Sequence, residues 1–262
     1  MEGPNKRMKA QCYTPAVKKQ HSPMLKDLVT NRANSPASEG PGRISRFEQD
    51  YEKVRKIGEG HFGSVVQCVH RLDGLDYAIK ISKKPTKKHN CLEEALHEVF
   101  ALSALSVAGE NPYIVRYYTG WIESNQLYIV MELCDGSLLN FAEQEHLDEK
   151  AIKRVFRDIC LGLNELHSKD IVHLDIKPEN ILRSQNGNFK LADLGLARLL
   201  SKLNMAHPEG DMRYLAPEML DDDTSTPLKK ADIFSLGMML YELMERQQPP
   251  RKGSEWKSLR RG

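Results

Sequence analysis

A short stretch of the chain concentrates side chains whose types and spacing suit chemistry. In Ile171-Val172-His173-Leu174-Asp175-Ile176-Lys177-Pro178-Glu179-Asn180-Ile181-Leu182 an aspartate, a lysine and an asparagine stand at HxDxKxxN spacing, and Asp193-Leu194-Gly195 opens 13 residues after Asn180. The pattern implies phosphoryl transfer. Asp175 would accept the proton of an acceptor hydroxyl and orient it for in-line attack on the γ-phosphorus of ATP. Lys177 would sit by the transferring phosphate, and Asn180 and Asp193 would hold the Mg²⁺ ions that bridge the phosphates. Any one of these residues alone reads as a surface side chain; the ordered set does not.

Upstream, Ile57 precedes Gly58-Glu59-Gly60-His61-Phe62-Gly63-Ser64-Val65, a GxGxxGxV pattern. Glycines let a backbone come close to phosphate oxygens. A dinucleotide-binding turn would need a helix after the last glycine. Here the β-branched run Val65-Val66-Gln67-Cys68-Val69 follows, so a strand-turn-strand flap of the protein-kinase kind is predicted. Strand alternation through Tyr77-Ala78-Ile79-Lys80-Ile81 puts Ala78 and Lys80 on one face and the other three on the opposite one. Lys80 on so apolar a strand wants an anionic partner, the alternative being an edge lysine snorkelling to water. The next helix offers Glu98, one turn from Ala95 and one from Leu102, and a Lys80–Glu98 pair would hold the lysine on the α- and β-phosphates. Glu93 and Glu94 compete, but as first-turn acids they suit the helix dipole. Met131-Glu132-Leu133-Cys134 is the expected join between two lobes, with backbone groups for adenine and Met131 as gatekeeper; Ile57, Val65, Ala78 and Leu182 complete the expected nucleotide site.

The elements that must position these residues are visible as periodicity. Residues 64–69 and 77–81 alternate as strands around a turn at Asp73-Gly74. Residues 92–105 and 149–167 have helical spacing, the second with a stripe of Ile152, Val155, Phe156, Ile159, Leu163 and Leu166. A strand-rich lobe followed by a helix-rich one is an α+β arrangement, here a bilobal kinase fold with a small lobe over 47–133 and a helical lobe over 134–262. Residues 1–46 differ: five prolines, one aromatic, and nine basic against three acidic residues. Such a stretch cannot bury enough apolar surface to offset its ordering entropy, so a disordered tail is expected. Since the whole chain of 262 residues has a net charge of +2, the other 216 carry −4. This balance disfavours a nucleic-acid binder, and no run is apolar enough for a membrane span. The five cysteines lack metal or disulfide spacing and are expected to be reduced thiols. Thr14-Pro15, Ser22-Pro23 and Ser35-Pro36 suit proline-directed phosphorylation, and Asn5-Lys6-Arg7-Met8-Lys9 suits nuclear import.

The catalytic loop reads His173-Leu174-Asp175 and the metal motif Asp193-Leu194-Gly195. With Glu209-Gly210-Asp211, Arg71-Leu72-Asp73-Gly74, Ser82-Lys83-Lys84-Pro85 and Lys230-Ala231-Asp232-Ile233-Phe234, the chain from about Ser45 onward resembles the Wee family of mitosis-inhibiting kinases. The resemblance implies a monomeric nuclear enzyme using ATP and Mg²⁺. Its substrate would be a tyrosine in the glycine-rich loop of a cyclin-bound cyclin-dependent kinase. The Lys177 form of the loop alone points to serine or threonine. A membrane-tethered sister family would need an anchor, and none is visible. With Leu174 before the catalytic aspartate, the basic pocket for an activation-segment phosphate is lost, so no such phosphorylation should be required.

The same resemblance has Asp232 open a helix and brace the catalytic loop, and has Glu218, in Ala216-Pro217-Glu218, pair with a late arginine that the sequence does not place. Trp256 and Leu259 suit a helix after the central one. The helices expected beyond it are not in the sequence, so Ile233, Leu236, Leu240 and Leu243 are expected to be partly uncovered. The alternatives are a truncated, non-catalytic nucleotide-binding module that docks on the cyclin-dependent kinase without modifying it, which the missing helices favour, and an ordinary Ser/Thr kinase. The intact Lys80, Glu98, Asp175, Asn180 and Asp193 disfavour the first; Leu174 and the Glu-Gly-Asp segment disfavour the second.

Overall fold

The computed structural model describes residues 44–60, 63–84, 91–106, 111–145, 147–200, 210–219 and 227–261. Residues 1–43 of the expected tail, with its Ser/Thr-Pro pairs and basic cluster, lie outside them, as do His61, Phe62, Pro85 and Glu209; residues 44–46 are described. The chain divides into Met1–Arg43 and Ile44–Gly262, and every described element belongs to the second unit.

A short helix, α1 (Arg46–Asp50), is closed by a capping box in which Ser45 and Glu48 satisfy each other's backbone N–H groups. Strands β1 (Tyr51–Glu59), β2 (Gly63–His70) and β3 (Asp76–Ser82) come next. The β2–β3 turn is held by Asp73, whose Oδ1 accepts from Leu75 N at 2.9 Å. Helix α2 (Cys91–Ser106) leads to β4 (Tyr117–Glu123) and β5 (Gln126–Glu132). Ser124 and Asn125 join the last two strands, both at positive φ as a two-residue hairpin requires. The strands form one antiparallel sheet in the order β1-β2-β3-β5-β4. On one sheet face Trp121 lies between the rings of Tyr51 and Tyr128, at 5.9 and 4.8 Å and nearly parallel to both. The Arg46 guanidinium covers Trp121 at 4.6 Å, and Phe47 of α1 leans on Tyr128.

The second lobe begins with β6 (Gly136–Ser137) and α3 (Leu138–Gln144). Helix α4 (Glu149–Ser168) is capped by Asp148, which accepts from Ala151 N at 2.7 Å. Then come β7 (Ile171–Val172), β8 (Ile181–Arg183), β9 (Phe189–Leu191), β10 (Arg198–Leu199), α5 (Leu228–Glu245) and α6 (Ser254–Ser258). One apolar core runs from Leu102 and Leu105 on α2, through Ile129, to Ile159, Leu163 and Leu166 on α4 and Leu236, Met239 and Leu243 on α5. Helix α4 lies directly on β9 because residue 162 is glycine: a Cβ there would fall 2.8 Å from Tyr113 O and 2.9 Å from Leu191 Cδ1.

Two expectations, on Phe156 and Asp232, are corrected, and a third is sharpened. Phe156 is 44% exposed; the buried face of α4 is Val155, Asp158, Ile159, Gly162, Leu163 and Leu166, and Phe156, about 100° round from Val155, falls on its flank. The α5 face is partly uncovered as expected: Leu236 and Leu243 are buried in the core shared with α4, while Leu240 is only partly buried against it. Ile233 alone of the four is substantially exposed, at 48%. Asp232 does not open α5 but lies in its second turn, fully buried. No helix among the described residues is long and apolar enough to cross a membrane, and Cys68, Cys134 and Cys160 are free thiols.

Candidate active site

Lys80 lies in the middle of β3, its backbone paired with Val65 on β2 and Ile129 on β5. Its ammonium donates to Glu98 Oε2 at 2.7 Å and to Asp193 Oδ1 at 2.8 Å, joining sheet, helix α2 and second lobe at one atom. Burial disfavours the charged lysine, but the two carboxylates outweigh it and hold its pKa above the ordinary value. Asp193 is likewise held below the usual carboxylate range: burial opposes this, and Lys80 with the Gly195 N–H prevails. Glu98, 2% exposed, is the member whose pKa burial pushes up.

The catalytic-loop residues converge on Asp175. Lys177 Nζ donates to both its carboxylate oxygens, at 2.9 and 2.8 Å, and Asn180 Nδ2 donates to its carbonyl at 2.9 Å and to Oδ2 at 2.7 Å. The loop hangs from Asp232, whose oxygens accept from His173 N at 2.9 Å and Leu174 N at 2.8 Å, and which also binds His167. These bonds hold Leu174 at a φ of 64°, where a non-glycine residue is strained. His173 Nε2 donates to Ala192 O at 3.0 Å, while Nδ1 accepts from Asp175 N at 3.3 Å, so one tautomer serves both partners.

Asn180 has committed its amide nitrogen to Asp175, which leaves Oδ1 as the atom that can face a cation; Asp193 adds a carboxylate fixed by its left-handed backbone. An amide oxygen and a carboxylate are the hard donors that Mg²⁺ prefers, so the residues present fit that ion.

At the other end of the cleft, β1 and β2 pair from Glu59↔Ser64 inward, and Gly60 N donates to Gly63 O at 2.8 Å. Gly63 is required by contact: a Cβ would fall 2.0 Å from Ile81 O. Glu59 turns outward to Lys56. Ile57 is part-exposed, Val65 half-buried, Ala78 buried beside Met131 on β5, and Leu182 lies on β8 opposite Ser137. Glu132 Oε1 accepts from Lys190 Nζ at 2.5 Å and from Arg116 N at 2.6 Å, which turns the side chain toward β9. Burial, helped by Glu132, pushes the Cys134 thiol up to about 12.

Sequence reasoning missed three further groups. Lys190 stands in the apolar run Phe189-Lys190-Leu191, so the test applied to Lys80, a lysine on an apolar strand needing an anion, would have found it. Arg213 grips Asp211 through Nε (3.0 Å to Oδ1) and Nη2 (2.6 Å to Oδ2) and reaches Glu179 at 3.3 Å. Burial opposes ionisation of Asp211, but Arg213 holds its pKa below the usual range. Arg260 is the third group. Leu174, standing where an arginine would have formed the basic pocket, packs with Leu200 and Phe234 on a cluster containing Val172, Leu215 and Met219.

The protein kinase domain family matches residues 51–261. The chain is 39% identical over 253 residues to a Wee1-like protein kinase of Drosophila melanogaster, covering 84% of this chain and 41% of the relative. It is 41% identical over 228 residues to a Wee1-like protein kinase of Oryza sativa subsp. japonica, covering 87% and 42%. To Wee1-like protein kinase 2 of Homo sapiens it is 37% identical over 247 residues, covering 83% and 42%. The chain thus spans less than half the length of these curated relatives. It belongs to the protein kinase domain family and, within it, to the Wee-type kinases.

Proposed function

We propose that the chain is an ATP-dependent kinase that phosphorylates an inhibitory tyrosine of a cyclin-bound cyclin-dependent kinase and so restrains entry into mitosis. The observation that carries the catalytic part is Lys80 Nζ held between Glu98 and Asp193, a fixed cation where the α- and β-phosphates would lie. Asp175, oriented by Lys177 and Asn180, takes the proton of the acceptor hydroxyl as its oxygen bonds the γ-phosphorus and the bond to the bridging oxygen of ADP breaks. Mg²⁺, held by Asn180 and Asp193, would supply charge neutralisation on the phosphate oxygens. The choice of tyrosine and of a cyclin-dependent kinase rests on likeness to the Wee-type relatives, and nuclear residence on that likeness with the basic cluster at residues 5–9.

The test is incubation of the chain with Mg²⁺-ATP and a cyclin-bound cyclin-dependent kinase, read as phosphotyrosine, with Asp175→Asn as control. Phosphotyrosine lost in Asp175→Asn is the expected result. Phosphoserine or phosphothreonine alone would support the second reading, an ordinary Ser/Thr kinase, which Lys177 on both Asp175 oxygens favours. Mg²⁺-ATP binding without transfer would reduce the chain to a nucleotide-binding module.

A further inference from the structure

Four consecutive carbonyls, from Met212 to Leu215, are all satisfied by side chains from outside their own segment. Met212 O accepts from Trp256 Nε1 at 2.9 Å and Arg260 Nη2 at 2.9 Å, Arg213 O from Arg260 Nη2 at 3.1 Å, Tyr214 O from Ser235 Oγ at 2.8 Å, and Leu215 O from Arg260 Nε at 3.0 Å. A backbone stretch without a ladder takes whatever shape its partners impose. Here three of the four carbonyls are imposed on by one guanidinium.

That guanidinium is itself rigidly mounted. It lies 4.1 Å from the Trp256 ring and 5.6 Å from that of Phe234, and Nη1 donates to Trp256 O at 3.2 Å. Burial lowers its pKa, as expected of a cation whose partners are dipoles. On its other side, the segment abuts the catalytic loop: Arg213 reaches Glu179, and Gly210 leaves room for a Cβ only 3.4 Å from Leu174 O. The segment is therefore a wall against the catalytic loop that carries Asp175.

We propose that Arg260, with Trp256 in support, is a positioning residue for the protein acceptor. It sets the backbone of Met212–Leu215 against which the acceptor chain lies, and through it the place of the acceptor hydroxyl at Asp175. A planar fork with several N–H groups can serve three carbonyls at once, and an ammonium on a flexible stem cannot hold them in one geometry, so lysine is no substitute. The proposal rests on the kinase reading and names what that reading leaves open, the element that shapes the acceptor side of the cleft.

The test compares the full chain with Arg260→Lys and Trp256→Phe in two measurements. With a cyclin-bound cyclin-dependent kinase as acceptor, Arg260→Lys should raise KM for the acceptor about tenfold, as loss of one or two hydrogen bonds to a charged group would, while KM for ATP stays within about twofold. Trp256→Phe should move the acceptor KM the same way by less. Amide hydrogen exchange, which needs no turnover, should quicken in the peptide spanning 210–216 and not in α4 or the sheet. Equal changes in both KM values, or a global loss of protection, would reduce Arg260 to a stabilising residue and overturn the proposal. A parent chain that transfers nothing sinks the kinase reading; unchanged exchange at 210–216 in Arg260→Lys sinks this one independently.

Discussion

Glu132 and Lys190 form an ion pair at 2.5 Å between the last residue of β5 and the middle of β9, both side chains largely buried. It ties the point where the chain leaves the sheet to the strand that leads to Asp193. Removing one partner strands a buried charge, whereas removing both does not. Lys190→Met should cost about 3 kcal/mol, and Glu132→Gln combined with Lys190→Met should recover a large part of it. Thermal melts of the single and double variants decide; equal loss in both would show that the pair contributes through shape and not charge.

Gly60 and Gly63 should respond unequally to alanine. Nothing lies within 4 Å of a Cβ at Gly60, while one at Gly63 meets Ile81 O. Gly63→Ala should therefore lose nucleotide affinity and at least about 2 kcal/mol of stability through forced separation of β2 from β3, with Gly60→Ala near neutral in stability. Calorimetric titration with ATP and a denaturant melt on each variant provide the comparison.

Lys177→Ala removes both hydrogen bonds that orient the Asp175 carboxylate from that side. The expected outcome is a fall in kcat of about 100-fold, with binding of ATP retained. Single-turnover kinetics separate the two, and an ATP affinity that falls as far as kcat would place Lys177 in ground-state binding.

Asp211 gives stability a dependence on acid. Its pKa is lowered in the folded chain, so the Asp211–Arg213 contribution is fully present above the unfolded value near 3.8 and is lost as pH falls through the lower folded value. Asp211→Asn should flatten that part of the acid limb below about pH 4. Urea midpoints at pH 7, 4 and 3 would show it, and parallel curves for the two proteins would disprove the assignment.

Leu174 is built into an apolar cluster, and Arg213 with Asp211 and Glu179 already joins the activation segment to the catalytic loop. Phosphatase treatment should leave transfer to the acceptor unchanged. Leu174→Arg should destabilise the chain by about 2 kcal/mol, because it buries a charge among Val172, Leu215 and Met219. A drop in activity on dephosphorylation would mean that the segment needs an added anion after all.

What was legible in the sequence was what is local or periodic. Asp175, Lys177 and Asn180 lie within six residues, and their contacts arise from that spacing; Lys80 and Glu98 could be turned toward each other by counting strand and helix periods. Partners distant in the chain were not readable this way. Lys190 is 58 residues from Glu132 and Arg260 is 45 from Leu215; the apolar run around Lys190 marks its need for an anion but not which one, and nothing local marks Arg260 as paired. Which residues of the α5 face stay uncovered was not readable for the same reason. Its apolar residues were visible, but that α4 covers Leu236 and Leu243 and leaves Ile233 exposed is a fact of packing. Phe156 failed because a stripe read at helical period is wider than the face a neighbour buries.

The chain has two tryptophans, and the fold sends them to different lobes. Trp121 is clamped between two tyrosine rings under Arg46, and Trp256 donates its indole N–H to the activation segment under Arg260. They are native optical probes of different events. Emission from Trp121 reports the integrity of the sheet and its α1 cover, and emission from Trp256 reports the wall beside Asp175. Trp256→Phe and Trp121→Phe each leave one reporter, so loosening of either lobe can be timed in solution without an added dye.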